Sequence, residues 1–564
     1  MTDRRTRLRV LAGVLAFGLV AAACGSGSDA GDGGDGGGGG GGEGGGNGGG
    51  DVGSTNITTE AGEPKDGGKV VFGLEAESSG FDPVSDRWAI SAYQVATALY
   101  DPLVAYDEDN NLKPYLAESV TSNDDATEWT ITLREGVTFH DGAPLTAEDV
   151  IFMYEQHIAS PLTKPVFAPV TSVEPVEGDP LSFKFVLDQT WHTFPVALSA
   201  QTGYVASRAT IEGADGGLNP VGTGPFELKS YVPDSALVAT KYDAYWQEGL
   251  PHLDQIEYRP IADLNSRQAA FDSGDLQIFT TENFEAKHDY AERCAAGECQ
   301  IIVDPGESEE VLVLLNTATE PFNNENARKA LAYATDKQAI IDTLAPGAVP
   351  ANGPWAPNSE WYDPVVEETY LQFNPEKARE AAAAYEEETG KKLSFEFGSS
   401  PSPTVRAAVD LLAGQWAEAG IETDVKISEQ TAYILGAVNG SFQANIWRQF
   451  SASEPDGDYI WWVSDNAAEP GTIGLNMARN KDPLIDQALD AARATTEKDE
   501  RKALYATVAE RLAIDIPYVW VYHTNYGLIA ANNVHGITNG PLPDGTPSKP
   551  MQGGVARVTY LWVE

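Results

Sequence analysis

The densest set of groups able to hold a small molecule lies at residues 446–463, IWRQFSASEPDGDYIWWV. Trp447, Phe450, Trp461 and Trp462 offer aromatic faces, and Glu454, Asp456 and Asp458 offer carboxylates around a Pro-Gly loop. Loops held by a rigid scaffold commonly carry binding residues. A second reading is open for two of the carboxylates: Asp456 and Asp458 serve equally well as caps of a helix start or as solvent-facing charges, the default for such groups. Trp461 and Trp462 cannot both face one side of a strand, so one of them belongs to a core.

Groups for bond-making chemistry are poorly supplied. His140-Asp141 has the types of an acid–base pair, but neighbours on a turn point in different directions and no third group orients them. Residues 222–226, GTGPF, read as a glycine-permitted turn into a strand, since no Lys-Ser or Lys-Thr pair follows to make a phosphate cradle. No zincin helix, nucleophile elbow or Walker loop occurs. The chain is therefore expected to bind without catalysis, and with no cofactor or metal. Cys294 and Cys299 are expected to form a local disulfide in an oxidising compartment, because a zinc site would need more ligands nearby and His288 is not at a recognised spacing.

The compartment is read from the first residues. Arg4, Arg5, Arg7 and Arg9 precede an apolar run at 10–20, then three alanines and Cys24, the order of a secretory signal, expected to span 1–23. The run is short for a bilayer span. Its end resembles a bacterial lipobox, with Ala21 where leucine is usual, which implies that Cys24 is lipidated. Residues 24–66 are mostly glycine with scattered polar residues, a composition that behaves as a flexible coil with a span of roughly 35 Å. Such a tether would hold a globular body beside partners in the membrane.

That body, from about residue 67 to 564, exceeds what one core usually supports, so two lobes are expected. The formal charge of −47 excludes nucleic acid as a partner, because a phosphate backbone must be met by clustered Lys and Arg. Strand patterns at 69–74, 128–134, 393–397 and 421–427 alternate with helices. One opens at Thr146, one is capped by Asp336, one starts at Asn374-Pro375 and one stops at Gly420. This alternation implies α/β units around a largely parallel sheet.

Six segments in register are more specific: GGKVV at 67–71, FDP at 81–83, LKPYLAESV at 112–120, LREGVTFHDGAPLTAEDV at 133–150, GTGPF at 222–226 and ALAYATD at 330–336. Together they resemble the family 5 solute-binding proteins of ABC importers, the dipeptide- and oligopeptide-binding lipoproteins and their relatives. The resemblance covers residues 67–564. It implies an α/β, two-lobed periplasmic-binding-protein-like fold of type II, with an extra subdomain and hinged lobes around a central cleft. Lobe I is expected at 67–91, 218–315 and 516–564, its inserted subdomain at 92–217 and lobe II at 316–515.

The same resemblance implies a monomer, lipid-anchored on the outer face of the bacterial cell membrane. It would hand a peptide or similar small polar solute to ABC permease transmembrane subunits with a cytoplasmic ATPase. Oligosaccharides, nickel chelates and opines are alternative ligands, and an extracellular sensor with no transport role is an alternative of another class. In peptide-binding relatives an Asp shortly after a Trp pairs with the ligand ammonium. Here Trp447 matches the Trp and Ser451 stands near the place of the Asp, leaving Glu454 or Asp456 to take that role. By position, Glu77 and Ser79 before FDP are expected to bond a ligand main chain, with Asn316 and Tyr522 as further candidates beside Trp461 and Trp462.

Overall fold

The computed structural model describes residues 62–304, 309–450 and 452–564. The expected signal, Cys24, most of the tether and Ser451 lie outside the described residues. Among those described, no helix is long and apolar enough to cross a membrane.

Three sheets organise the body. The strand Lys69–Leu74 is apolar almost throughout, and the reason is burial on both faces: Val70, Phe72 and Leu74 enter one core while Val71 enters another. It pairs in parallel with Gln255–Pro260 and Ile278–Thr281 at the centre of a seven-stranded sheet. The strand Glu309–Leu315 repeats this logic at the centre of a six-stranded sheet, with Leu312 and Leu314 on one side and Val311, Val313 and Leu315 on the other. A four-stranded antiparallel sheet between them in sequence holds Glu128–Leu133, whose Trp129, Ile131 and Leu133 face a third core.

The two large sheets are mixed rather than largely parallel. Short hairpins such as Phe226–Val232 with Ala236–Lys241 force antiparallel pairing, and so do the strands that return from distant sequence, Tyr518–Thr524 and Gly527–Ala530. The lobe limits also shift. Glu309–Leu315 and Tyr518–Thr524, placed in lobe I by the sequence reading, pair with each other in the second large sheet. Apolar strands that are buried on both faces look alike in either sheet, so hydrophobic pattern does not place the crossings.

Local signals act as their chemistry requires. Asn374 accepts hydrogen bonds from the backbone N–H of Glu376 and Lys377 at the start of helix Pro375–Thr389, and Gly390 ends it at φ 70°. Asp336 caps helix Lys337–Leu344 through the Ala339 N–H, and Thr146 with Asp149 forms a capping box on helix Ala147–Ala159. Cys294 and Cys299 are disulfide-bonded, joining the end of helix Phe284–Ala295 to the strand Gln300–Val303.

His140 is a structural tie. Its Nδ1 accepts from the Gly222 N–H and its Nε2 bonds the Gly224 carbonyl, which joins the FHDG turn to GTGPF. Burial pushes its pKa down to about 4, so it stays neutral. Glycine is required at 222 and 224 because a Cβ there would meet the Leu99 and Ala98 carbonyls at 2.1 and 2.5 Å.

Candidate functional site

A cavity of about 260 Å³ lies where the chain's parts converge. One wall comes from the start of helix Ile90–Leu99 and the segment before it, a second from 162–204 of the inserted region, a third from 452–461, and a fourth from 539–557. Aromatic side chains line it, among them Trp88, Tyr93, Trp191, Tyr204 and Trp461. Trp88 holds this wall together, with ring centroids 5.6 Å from Tyr93 and 5.7 Å from Tyr204 in edge contacts. Arg87 stands over the Trp461 ring at 4.9 Å, a cation–π contact that links the first wall to the third.

Of the ligand residues expected from sequence, Asp456 and Trp461 reach this cavity. Asp456 does so with its carboxylate already occupied. Oδ1 accepts from Arg493 Nε at 2.5 Å, and Oδ2 accepts from Trp191 Nε1 at 2.6 Å and Thr193 Oγ1 at 2.7 Å. Both charged side chains are buried, and the Arg493 guanidinium lies over the rings of Trp191 and Tyr459. A third strut is the His192 N–H donated to the Arg493 carbonyl. The pair therefore fastens loop 452–458 and helix Pro483–Arg493 to the inserted region. Three of the roughly four lone-pair sites of this carboxylate are thus taken by the scaffold.

Glu454 pairs with Arg501 and faces a neighbouring concavity of about 310 Å³; burial pushes its pKa up to about 7 against the pull of Arg501. Trp462 is the core member of the tryptophan pair, edge-on to Trp355, whereas Trp461 is half-buried on the cavity wall. The two residues lie on the short helix Tyr459–Trp462, so it is helical geometry that sends them different ways. Trp447 packs against Tyr433, rings tilted at 34° with centroids 5.5 Å apart, outside the cavity lining.

The remaining candidates are tied into the scaffold. Glu77 accepts from the Tyr231 hydroxyl and the Asp234 N–H, while Ser79 is exposed. Asn316 is fully buried and donates to the Gly440 and Phe442 carbonyls. Tyr522 meets Phe284 edge-on. Sequence reasoning missed Arg87, Trp88, Tyr93, Trp191, Tyr204, Lys549 and Arg557, which come from three distant stretches and form no motif.

The joint between the two large sheets is charged. Arg448 Nη2 lies 3.1 Å from Glu75, and its Nη1 lies 3.1 Å from Glu282 and 3.5 Å from Glu309. One cation thus serves three carboxylates. Burial pushes Glu309 up to about 7 despite Arg448, with Glu75 and Glu282 adding to the rise.

Two large sheets joined by repeated chain crossings, with a small aromatic-walled cavity among their loops, define a protein that encloses a solute. The chain belongs to the bacterial extracellular solute-binding proteins, family 5, whose model matches residues 111–470. It is 28% identical over 470 residues to the glutathione-binding protein GsiB of Salmonella typhimurium (strain LT2), covering 80% of this chain and 88% of that protein. It is 26% identical over 515 residues to the oligopeptide-binding protein AppA of Bacillus subtilis (strain 168), covering 86% and 91%. Among solved structures it is similar to AgaA of A. tumefaciens R10 in complex with agropinic acid, with a TM-score of 0.77 at 24% identity, covering 88% of this chain and 99% of AgaA. DppA of Helicobacter pylori in complex with the peptide STSA gives a TM-score of 0.76 at 21% identity, covering 89% and 99%.

Proposed function

We propose that this chain captures a peptide or similar small polar solute in the 260 Å³ cavity and delivers it to the permease subunits of an ABC importer. The observation that carries this reading is the cavity itself: its walls come from segments far apart in sequence, so closure of the lobes would bury a ligand that opening releases. The chain does no chemistry on the solute, and energy for transport comes from an ATPase on other subunits. Support for a peptide comes from the relatives named for binding glutathione and oligopeptides. A lipid on Cys24 would hold the protein at the outer face of the cell membrane as a monomer, with Glu309–Leu315 and Tyr518–Thr524 counted in lobe II.

Calorimetric titration with glutathione and with mixed tripeptides tests this. Saturable one-site binding is expected, and Trp461→Ala is expected to weaken it at least tenfold, equivalent to about 1.4 kcal/mol, by removing one aromatic wall. Equal affinity in the variant would remove this cavity from the reading. The same titration with an oligosaccharide or a nickel–histidine chelate separates the alternative ligands, and unbroken growth on peptides after deletion of the gene would favour a sensor.

A further inference from the structure

The cavity wall carries four cationic side chains, Arg87, Arg493, Lys549 and Arg557, against two carboxylates, Asp456 and Asp458. Asp456 is consumed by Arg493, and Asp458 accepts from the Ala452 N–H at 3.1 Å. Lys549 is held by Asn110 at 2.9 Å and Ser453 at 3.2 Å. Arg87 and Arg557 differ from these. Among the described residues neither guanidinium has a carboxylate within ion-pair distance; each lies against an aromatic face instead, Arg87 on Trp461 at 4.9 Å and Arg557 on Tyr115 at 5.0 Å. Nη1 of Arg557 is buried with no hydrogen-bond partner.

Arg87 and Arg557 differ from the paired cations of the same wall in that their guanidinium groups face the cavity with aromatic rings, and no carboxylate among the described residues, against them. The nearby acid Asp101 does not neutralise Arg557 by contact. Its oxygens accept from the Tyr245 hydroxyl and Trp246 Nε1, and burial pushes its pKa up to about 7. Leaving a desolvated guanidinium unpaired is costly, and a planar fork of donors matches a carboxylate that arrives with the ligand.

We infer that the cavity selects an anionic solute, with Arg87 and Arg557 pairing to ligand carboxylates that the protein's own acids leave unmet. This rests on the solute-capture reading above and specifies the ligand's charge. The strongly negative protein would otherwise repel such a ligand, so the local positive wall is what admits it. Arg87 also touches the Trp461 wall, so a carboxylate bound there would lie at the contact between walls.

The test uses two probes matched in size and shape but not in charge, the tripeptide Ala-Ala-Glu with two carboxylates and the amide Ala-Ala-Gln-NH2 with none, titrated calorimetrically into the full chain. The acid is expected to bind at least tenfold more tightly. Arg87→Gln and Arg557→Gln should each shrink that gap to threefold or less by weakening the acid several-fold more than the amide, an outcome that general loss of structure would not produce. Equal binding of acid and amide, or variants that weaken both alike, would overturn the charge assignment while leaving solute capture intact. Should neither tripeptide bind, the peptide reading falls, and thermal-shift titration with glutarate against glutaramide then decides the charge assignment: stabilisation by the acid alone supports it, and equal responses overturn it.

Discussion

Replacing Asp456 with alanine is expected to cost about 3–5 kcal/mol of stability, the range for stripping the counter-ion from a buried charge. The substitution leaves Arg493, 3% exposed, wedged against Trp191 and Tyr459 with no carboxylate, and takes the acceptor from Trp191 Nε1 and Thr193 Oγ1. The double variant Asp456→Ala with Arg493→Met should recover more than half of that loss, because no unpaired charge remains. Urea denaturation of the two singles and the double closes the cycle. A double variant as unstable as the sum of the singles would contradict the account. If Asp456 instead served mainly as a partner for a ligand ammonium, the single variant would lose affinity and keep its stability.

Arg448→Met is expected to produce a pH-dependent defect. With Arg448 gone, Glu75, Glu282 and Glu309 lose their shared ion-pair partner at the joint between the sheets, leaving the weaker pull of Arg267 on Glu75 and Glu282 and of Lys287 on Glu282. Glu309 already titrates at about 7 in the folded chain, against 4.5 as its ordinary value. The folded state therefore holds a proton that the unfolded state has released between those values. The stability from this group is complete below about pH 4.5 and is lost as the pH rises through 7. Losing Arg448 raises Glu75 and Glu309 further, removes the main pull that holds Glu282 below its ordinary value, and extends that decline upward. The variant should be about 2 kcal/mol less stable at pH 8, a figure held below the fully buried range because Arg448 is 32% exposed. At pH 5 the deficit should be under half of that. Equal deficits at the two pH values, read from urea midpoints, would show that Arg448 acts by packing alone.

What was legible in the sequence is what depends on neighbours along the chain. The strand at Lys69–Leu74, the Asn374-Pro375 helix start, the Thr146 cap and the structural role of FHDG and GTGPF all rest on local chemistry. So does the disulfide, whose cysteines are close in sequence. The crossings between sheets were misplaced, since Glu309–Leu315 is as apolar as a strand of either sheet. At the site, part of the aromatic and acidic segment 446–463 forms one wall of the cavity, with Asp456 paired to Arg493. Arg87 and Arg557 were invisible for a related reason. What singles them out is that both face one cavity without an acid in contact, a fact that exists only once residues 470 positions apart are brought together.

The claim that the cavity encloses a small solute is tested most directly by native mass spectrometry of the protein incubated with an extract of its bacterial host and passed through gel filtration. One small-molecule adduct per chain is predicted, lost from the Trp461→Ala variant. An adduct-free spectrum from every extract, or an adduct that persists unchanged in that variant, would contradict it.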